Sequence, residues 1–210
     1  MGWKGKGICI LLSLLAAALL TGAVLRGEQT GEKVEETRQR LAEEVLRFHV
    51  LANSDSREDQ ELKLKVRDGV LTYIKENMPQ AENADESEAW ARSHLKEIEE
   101  TAEEVLAENG SAYPVQAKVE WCRFPEKTYG DITFPAGNYK ALRIEIGEAR
   151  GRNWWCVLYP GLCFLDTVHA VVPEEGKEEL RENLDDEEYE LVTATERFKI
   201  RWFFFGDEKE

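Results

Sequence analysis

The residues of this chain best suited to nucleophilic or acid–base chemistry are three histidines, His49, His94 and His169, and four cysteines, Cys9, Cys122, Cys156 and Cys163. Catalysis needs such a group held by an orienting partner. His94 adjoins Leu95 in a helical pattern and reads as a helix-surface or helix-boundary residue. His169 lies in the apolar stretch Val168-His169-Ala170-Val171-Val172, with Asp166 the neighbouring acid. A thiol-hydrolase pair of Cys156 or Cys163 with a histidine lacks any known local signature. No CxxC is present, and no Cys/His cluster has zinc spacing. Asn53-x-Asp55-x-Arg57-x-Asp59 opens like a calcium loop and then fails. Arg57 stands where an oxygen ligand belongs, Glu58 at the glycine position and Leu64 where the bidentate glutamate should be. Neither a glycine-rich phosphate loop nor a Gly-x-Ser-x-Gly elbow occurs. No catalytic residue, cofactor or metal is therefore expected. Asp59, Lys63 and Arg67, at i, i+4 and i+8, read as surface ion pairs.

What remains is chemistry of linkage and recognition. Cys156 and Cys163 flank the Pro160-Gly161 turn. In an exported domain they are expected to close a short loop as a disulfide, the other reading being two buried free thiols. Cys122 then stays unpaired and buried beside Trp121. Polar and aromatic groups outside the core pattern converge at Arg47 and His49, on the outward face of a strand, at Asn53 and Asp55 in the following turn, and at Trp154 and Trp155. Adjacent strand residues point to opposite sides, so one tryptophan is expected in the core and the other exposed or under a helix. Large aromatics are common interface anchors. A turn and helix-cap role for Asn53 and Asp55 is the competing reading.

The elements that must position these groups follow from periodicity. Ile8 to Leu25 is an uncharged run of 18 residues preceded by Lys4 and Lys6. As a helix it extends about 27 Å, near the ~30 Å hydrocarbon thickness. Residues 1–26 are thus expected to be a signal peptide or membrane anchor that exports the rest. All 42 acids and all but three of the 27 bases lie after it, and the whole chain carries −15. Such a surface repels phosphate backbones, so nucleic acid is excluded as a partner. With 42% hydrophobic residues the chain is still no disordered acidic tail.

Residues 27–44 read as a polar helical spacer. Residues 45–205 read as one α+β domain, and 206–210 as a disordered acidic tail. Within the domain, Leu46, Phe48, Val50 and Ala52 alternate as a strand. Ser56 with Asp59 starts a helix, lined by Leu62, Val66, Val70 and Ile74. A second helix is expected over 85–108. Val115 to Cys122 reads as a strand, and Ile132–Phe134 with Tyr139–Ile146 as a hairpin about Pro135-Ala136-Gly137-Asn138. Trp154 to Tyr159 forms the next strand. The acid-rich run 174–190 reads as a solvated face, loosely helical at best. Phe198, Ile200, Trp202 and Phe204 mark a closing strand. The sum is a mostly antiparallel sheet packed against two amphipathic helices.

Three segments together resemble a known family: Phe48-His49-Val50-Leu51-Ala52-Asn53-Ser54-Asp55; Asp59-Gln60 with Leu62-Lys63 and Val66-Arg67-Asp68; and Tyr129-Gly130-Asp131 through Pro135-Ala136-Gly137 to Asn153-Trp154-Trp155-Cys156-Val157-Leu158-Tyr159-Pro160 and Leu162-Cys163. They are similar to the stage II sporulation protein R family of endospore-forming Firmicutes. Gly161 stands where a second proline is expected, and Ala149 where glycine is usual. The resemblance implies a non-enzymatic signal, secreted by the forespore into the space between the forespore and mother-cell membranes. There it would activate a membrane-embedded aspartic protease that processes the sigma-E precursor. A secreted cell-wall or peptide hydrolase is the rival from another class.

Overall fold

In the computed structural model, residues 31–164 and 174–193 are described, with Val172 and the isolated positions 14, 15, 17, 20 and 21. Most of the expected leader, His169, the closing strand and the acidic tail lie outside these residues. No helix among the described residues is long and apolar enough to cross a membrane. The chain divides into two units, Met1–Gln39 and Arg40–Glu210. Residues 31–43 are helical (α1). In the first unit Thr37 Oγ1 donates to Lys33 O at 2.9 Å and Arg38 meets Glu35 at 3.8 Å.

The second unit is α+β, built on a mixed sheet. Its strands are β1 (Leu46–Leu51), β2 (Val115–Phe124), β5 (Gly137–Ile146) and β6 (Asn153–Tyr159), in the order β2-β5-β1-β6. β1 and β5 run parallel, while β1–β6 and β2–β5 are antiparallel. The expectation of a mostly antiparallel sheet thus needs a parallel pair at its centre. β3 (Lys127–Tyr129) and β4 (Ile132–Phe134) form a separate two-stranded ribbon.

One face carries α2 (Arg57–Asn77), α3 (Ala84–Ser93) and α4 (Leu95–Glu108). Ser56 caps α2 as expected, its Oγ accepting from Asp59 N at 3.1 Å. Val66, Val70 and Ile74 recur at one helical face and are fully buried against Phe48, Val50, Leu142 and Ile144. Each such side chain contributes about 1.5–3 kcal/mol. Gly69 lets α2 approach α4, since a Cβ there would sit 2.6 Å from Val105 Cγ2. The single helix expected over 85–108 is broken at His94. There the ring stacks on Trp90 at 4.3 Å and its Nδ1 lies 2.8 Å from Trp90 O, drawing the backbone out of register.

The opposite face is also covered. Phe124, Phe134, Tyr139, Ala141 and Val157 join Leu41 and Val45 with residues of α5 (Glu174–Asn183) and α6 (Asp186–Thr193). The acid-rich run is therefore helical and partly core, with Leu180, Leu184 and Val192 buried. Asp185 and Glu188 cap α6 reciprocally at 3.0 and 2.8 Å, and Arg40 reaches Asp185, Glu187 and Glu188.

The expected hairpin is corrected too. β4 pairs back onto β3 about Gly130 (φ 60°), and Gly137 belongs to β5 without positive φ. Pro135-Ala136 instead links the ribbon to the sheet, with Tyr139 Oη donating to Pro135 O at 2.8 Å. At Ala149, φ is 52°, a conformation that favours the glycine expected there.

Candidate functional site

Two clusters of the singled-out residues meet at β1. The first is the turn that leaves it. Asn53 Nδ2 (2.9 Å) and the Ser54 hydroxyl donate to the buried carboxylate of Asp59. Donation from Ser54, reinforced by Asn53 and Ser56, holds that carboxyl below its ordinary range against the opposing effect of burial. Asn53 Oδ1 accepts from Glu148 N at 2.9 Å, and Asp55 Oδ1 from Arg152 N at 2.7 Å. The neighbouring backbone joins in, with Gly151 N on Ala52 O at 2.9 Å and Arg150 N on Asn53 O at 3.1 Å. Asn53 and Asp55 thus clamp the 147–152 loop to the start of α2.

Lys63 completes this clamp. Its ammonium donates to Gln60 Oε1 at 2.7 Å and Arg152 O at 2.9 Å, and burial pushes its pKa down. The expected surface pairing of Asp59, Lys63 and Arg67 is therefore replaced. Asp59 and Lys63 are buried, while Arg67 pairs with Asp68 and lies 4.9 Å over the Trp154 ring.

The second cluster corrects the outward placement of Arg47 and His49. Arg47 is fully buried and His49 is 3% exposed, because the face they occupy is roofed by the β3–β4 ribbon and the α5–α6 layer. Arg47 Nε donates to Cys156 O and its Nη2 to Tyr129 Oη, both at 3.1 Å. Its guanidinium carbon sits 4.4 Å from the Phe124 ring centroid, 4.9 Å from Tyr139 and 5.1 Å from Phe134. No carboxylate among the described residues pairs with it, and aromatic faces supply the compensating negative potential. Burial lowers its pKa and raises that of Tyr129.

His49 stacks on Trp155 at 4.7 Å and 15°, and leans on Phe124 at 5.2 Å. Burial first, then Arg143 and Arg47, push its pKa down to about 3. The imidazole is neutral at physiological pH. Its two nitrogens, Arg47 Nη1, Arg143 Nε and Asn153 Oδ1 find no hydrogen-bond partner among the described residues. Asn153 lies beside the ring without reaching bonding geometry.

Trp154 and Trp155 do face opposite sides. Trp154 meets Phe48 edge-on at 5.8 Å in the helical layer, and Trp155 lies with His49 in the other. Cys156 and Cys163 are placed together, their Cα atoms 5.6 Å apart and their sulfurs within bonding reach, and Cys122 is buried and free. No group of acids, cysteines and histidines suited to holding a metal occurs among the described residues. Sequence reasoning missed Phe124, Tyr129, Arg143 and Asn153. The parallel β1–β5 register sets His49 beside Arg143, and the antiparallel β1–β6 pairing, with Leu51 opposite Asn153, brings in the last.

Comparison with known proteins bears on what this arrangement is for. A family model for stage II sporulation protein R matches residues 42–169. The stage II sporulation protein R of Bacillus subtilis (strain 168) is 35% identical over 194 residues, 91% of this chain and 86% of that protein. The chain belongs to the stage II sporulation protein R family. No solved structure matches. The family match takes in the Asn53–Asp59 clamp, the Arg47–His49 box and the Trp154–Cys163 strand and turn, so all of the site described here lies inside it.

Proposed function

We propose that this chain is an exported sporulation signal, released from the forespore into the intermembrane space, that activates a membrane-embedded aspartic protease of the mother cell and so triggers processing of the sigma-E precursor. Membership of the stage II sporulation protein R family carries this reading. The uncharged run from Ile8 to Leu25 behind Lys4 and Lys6 supports export. The use of Arg47, His49, Asn53 and Asp59 in internal contacts favours a docking role over acid–base work. An activator must bind the protease's active state more tightly than its inactive one, since equal affinity shifts nothing. Of the singled-out residues, Asp55 is exposed and Asn53, Trp154 and Trp155 are partly exposed, so these are the ones a partner can touch. The proximity of Cys156 and Cys163 fits a disulfide in an oxidising compartment.

The test is co-production of the full-length chain, the protease and the precursor in a non-sporulating host. Precursor cleavage is expected only when all three are present and the chain is exported. Cleavage that proceeds without the chain overturns the proposal, as does hydrolysis of cell wall or peptide by the purified chain alone.

A further inference from the structure

β2 is an edge of the main sheet, ten residues long. An antiparallel strand presents its backbone groups alternately to its two neighbours. Two contacts establish the phase here. Pro114 O accepts from Gly147 N at 2.9 Å, so even-numbered residues face β5. Ala117 N donates to Glu99 Oε1 at 2.8 Å, so odd-numbered residues face away from it. Glu99, on α4, thus stoppers the edge at Ala117. Beyond it Val119, Trp121 and Arg123 direct N–H and C=O groups outward, and no described residue meets them. Such edges are templates for another strand.

The side chains on this stretch are unusual for an edge. Trp121 is 56% exposed, the most exposed large apolar side chain among the described residues of the second unit. Arg123 is exposed and makes no ion pair among the described residues. Elsewhere on the strand and beside it charges are matched: Lys118 with Glu145, Arg143 with Glu120, Lys140 with Asp85 and Glu88.

We infer that the open edge of β2 pairs with the same edge of a second copy of this chain, antiparallel and centred on Trp121, to make one continuous sheet. The three open residues are symmetric about Trp121, so a two-fold axis through it satisfies all of them, with about six backbone hydrogen bonds. Pairing stops on each side where Glu99 blocks Ala117. Charge complementarity selects a second copy over an arbitrary strand. In this register Arg123 lies opposite the partner copy's Val119 and diagonal to its Ala117. Diagonal neighbours are about 7–8 Å apart, within the reach of an arginine. The carboxylate waiting at that Ala117 is Glu99. Ala117 and Val119 share the helix-covered face with Ile98 of α4, so Arg123 and Glu99 are on the same side of the joined sheet. Two symmetric Arg123–Glu99 pairs therefore flank a Trp121–Trp121 contact. An interface of one strand pair is small, and the association is weak and concentration-dependent.

The experiment uses the full-length chain with Cys9 and Cys122 replaced by serine. Trp121→Cys in that background places two thiols about 5.5 Å apart at Cα in a hydrogen-bonded pair, inside the disulfide range. Mild oxidation is expected to give a covalent dimer at least about tenfold faster than for Glu120→Cys, whose copies are offset across the axis. With native cysteines, Arg123→Glu is expected to raise the dimer dissociation constant at least about tenfold in sedimentation equilibrium. A chain monomeric across the concentration series overturns the inference, whether residues 197–205 or a different protein fill the edge. Equal cross-linking at positions 120 and 121 overturns it as well, because it reports random collision.

Discussion

Gly151→Ala is the sharpest probe of the clamp that ties the turn after β1 to the 147–152 loop. Gly151 has no positive φ, so alanine meets no dihedral penalty and the effect is purely steric. An added Cβ would overlap the Ser54 carbonyl oxygen and lie 2.9 Å from Ala52 Cβ. A backbone oxygen cannot rotate aside as a side chain can, so the loop must move as a body. Three hydrogen bonds go with it: Gly151 N to Ala52 O (2.9 Å), Arg150 N to Asn53 O (3.1 Å) and Arg152 N to Asp55 Oδ1 (2.7 Å). At about 1 kcal/mol each the loss is about 3 kcal/mol, or about 6–12 °C in melting midpoint for a unit of this size. Urea unfolding followed by tryptophan fluorescence measures the first figure and calorimetry the second. Gly31→Ala, with nothing within 4 Å, is the control and should stay within about 0.5 kcal/mol of wild type. A Gly151→Ala protein as stable as that control would refute the clamp.

Ala149→Gly relieves the left-handed backbone at φ 52°. After the extra chain entropy of glycine it should add about 0.5–1 kcal/mol, read as a higher urea midpoint at unchanged slope. His49 takes up its proton near pH 6.5 when unfolded and only at about 3 when folded. Its contribution is complete above the first value and is lost as pH falls toward the second, so His49→Phe should flatten the acid limb of stability between them. Tyr129→Phe leaves Arg47 Nη2 without its 3.1 Å acceptor and should cost about 1–3 kcal/mol, measured by denaturant titration.

The residues that the sequence made legible are those whose pattern is local. The Ser56 cap, the Val66–Val70–Ile74 stripe and the split between Trp154 and Trp155 all follow from spacing alone, and all stand in the structure. Arg47 and His49 were legible as one face of a strand and misleading about what covers it. Alternation ordinarily marks a solvated side, and the roof is made of elements distant in sequence. Part of that roof, the 174–193 region, hides its core behind acids because only Leu180, Leu184 and Val192 need be apolar. Pro135-Ala136-Gly137 has turn chemistry yet joins two sheets, since the three-residue β4 finds its partner across Gly130 instead. Strand direction leaves no trace in period-two patterning, so the β1–β5 pair could not be foreseen. Asp59 and Lys63 fit helical ion pairing by spacing, and only the approach of the 147–152 loop converts them to buried anchors.

The first strand of the sheet to be synthesised is an inner one. β1 has β5 on one side and β6 on the other, and those partners lie at residues 137–146 and 153–159. A polypeptide arriving N-terminus first, from a ribosome or through a translocation channel, must hold Leu46–Leu51 unsatisfied along both borders until nearly the whole matched region has emerged. Helices α2 to α4 can coil meanwhile, but they have no floor to settle on. Assembly is therefore gated late, and a chain cut short before Tyr159 should fail as a unit instead of retaining a stable half.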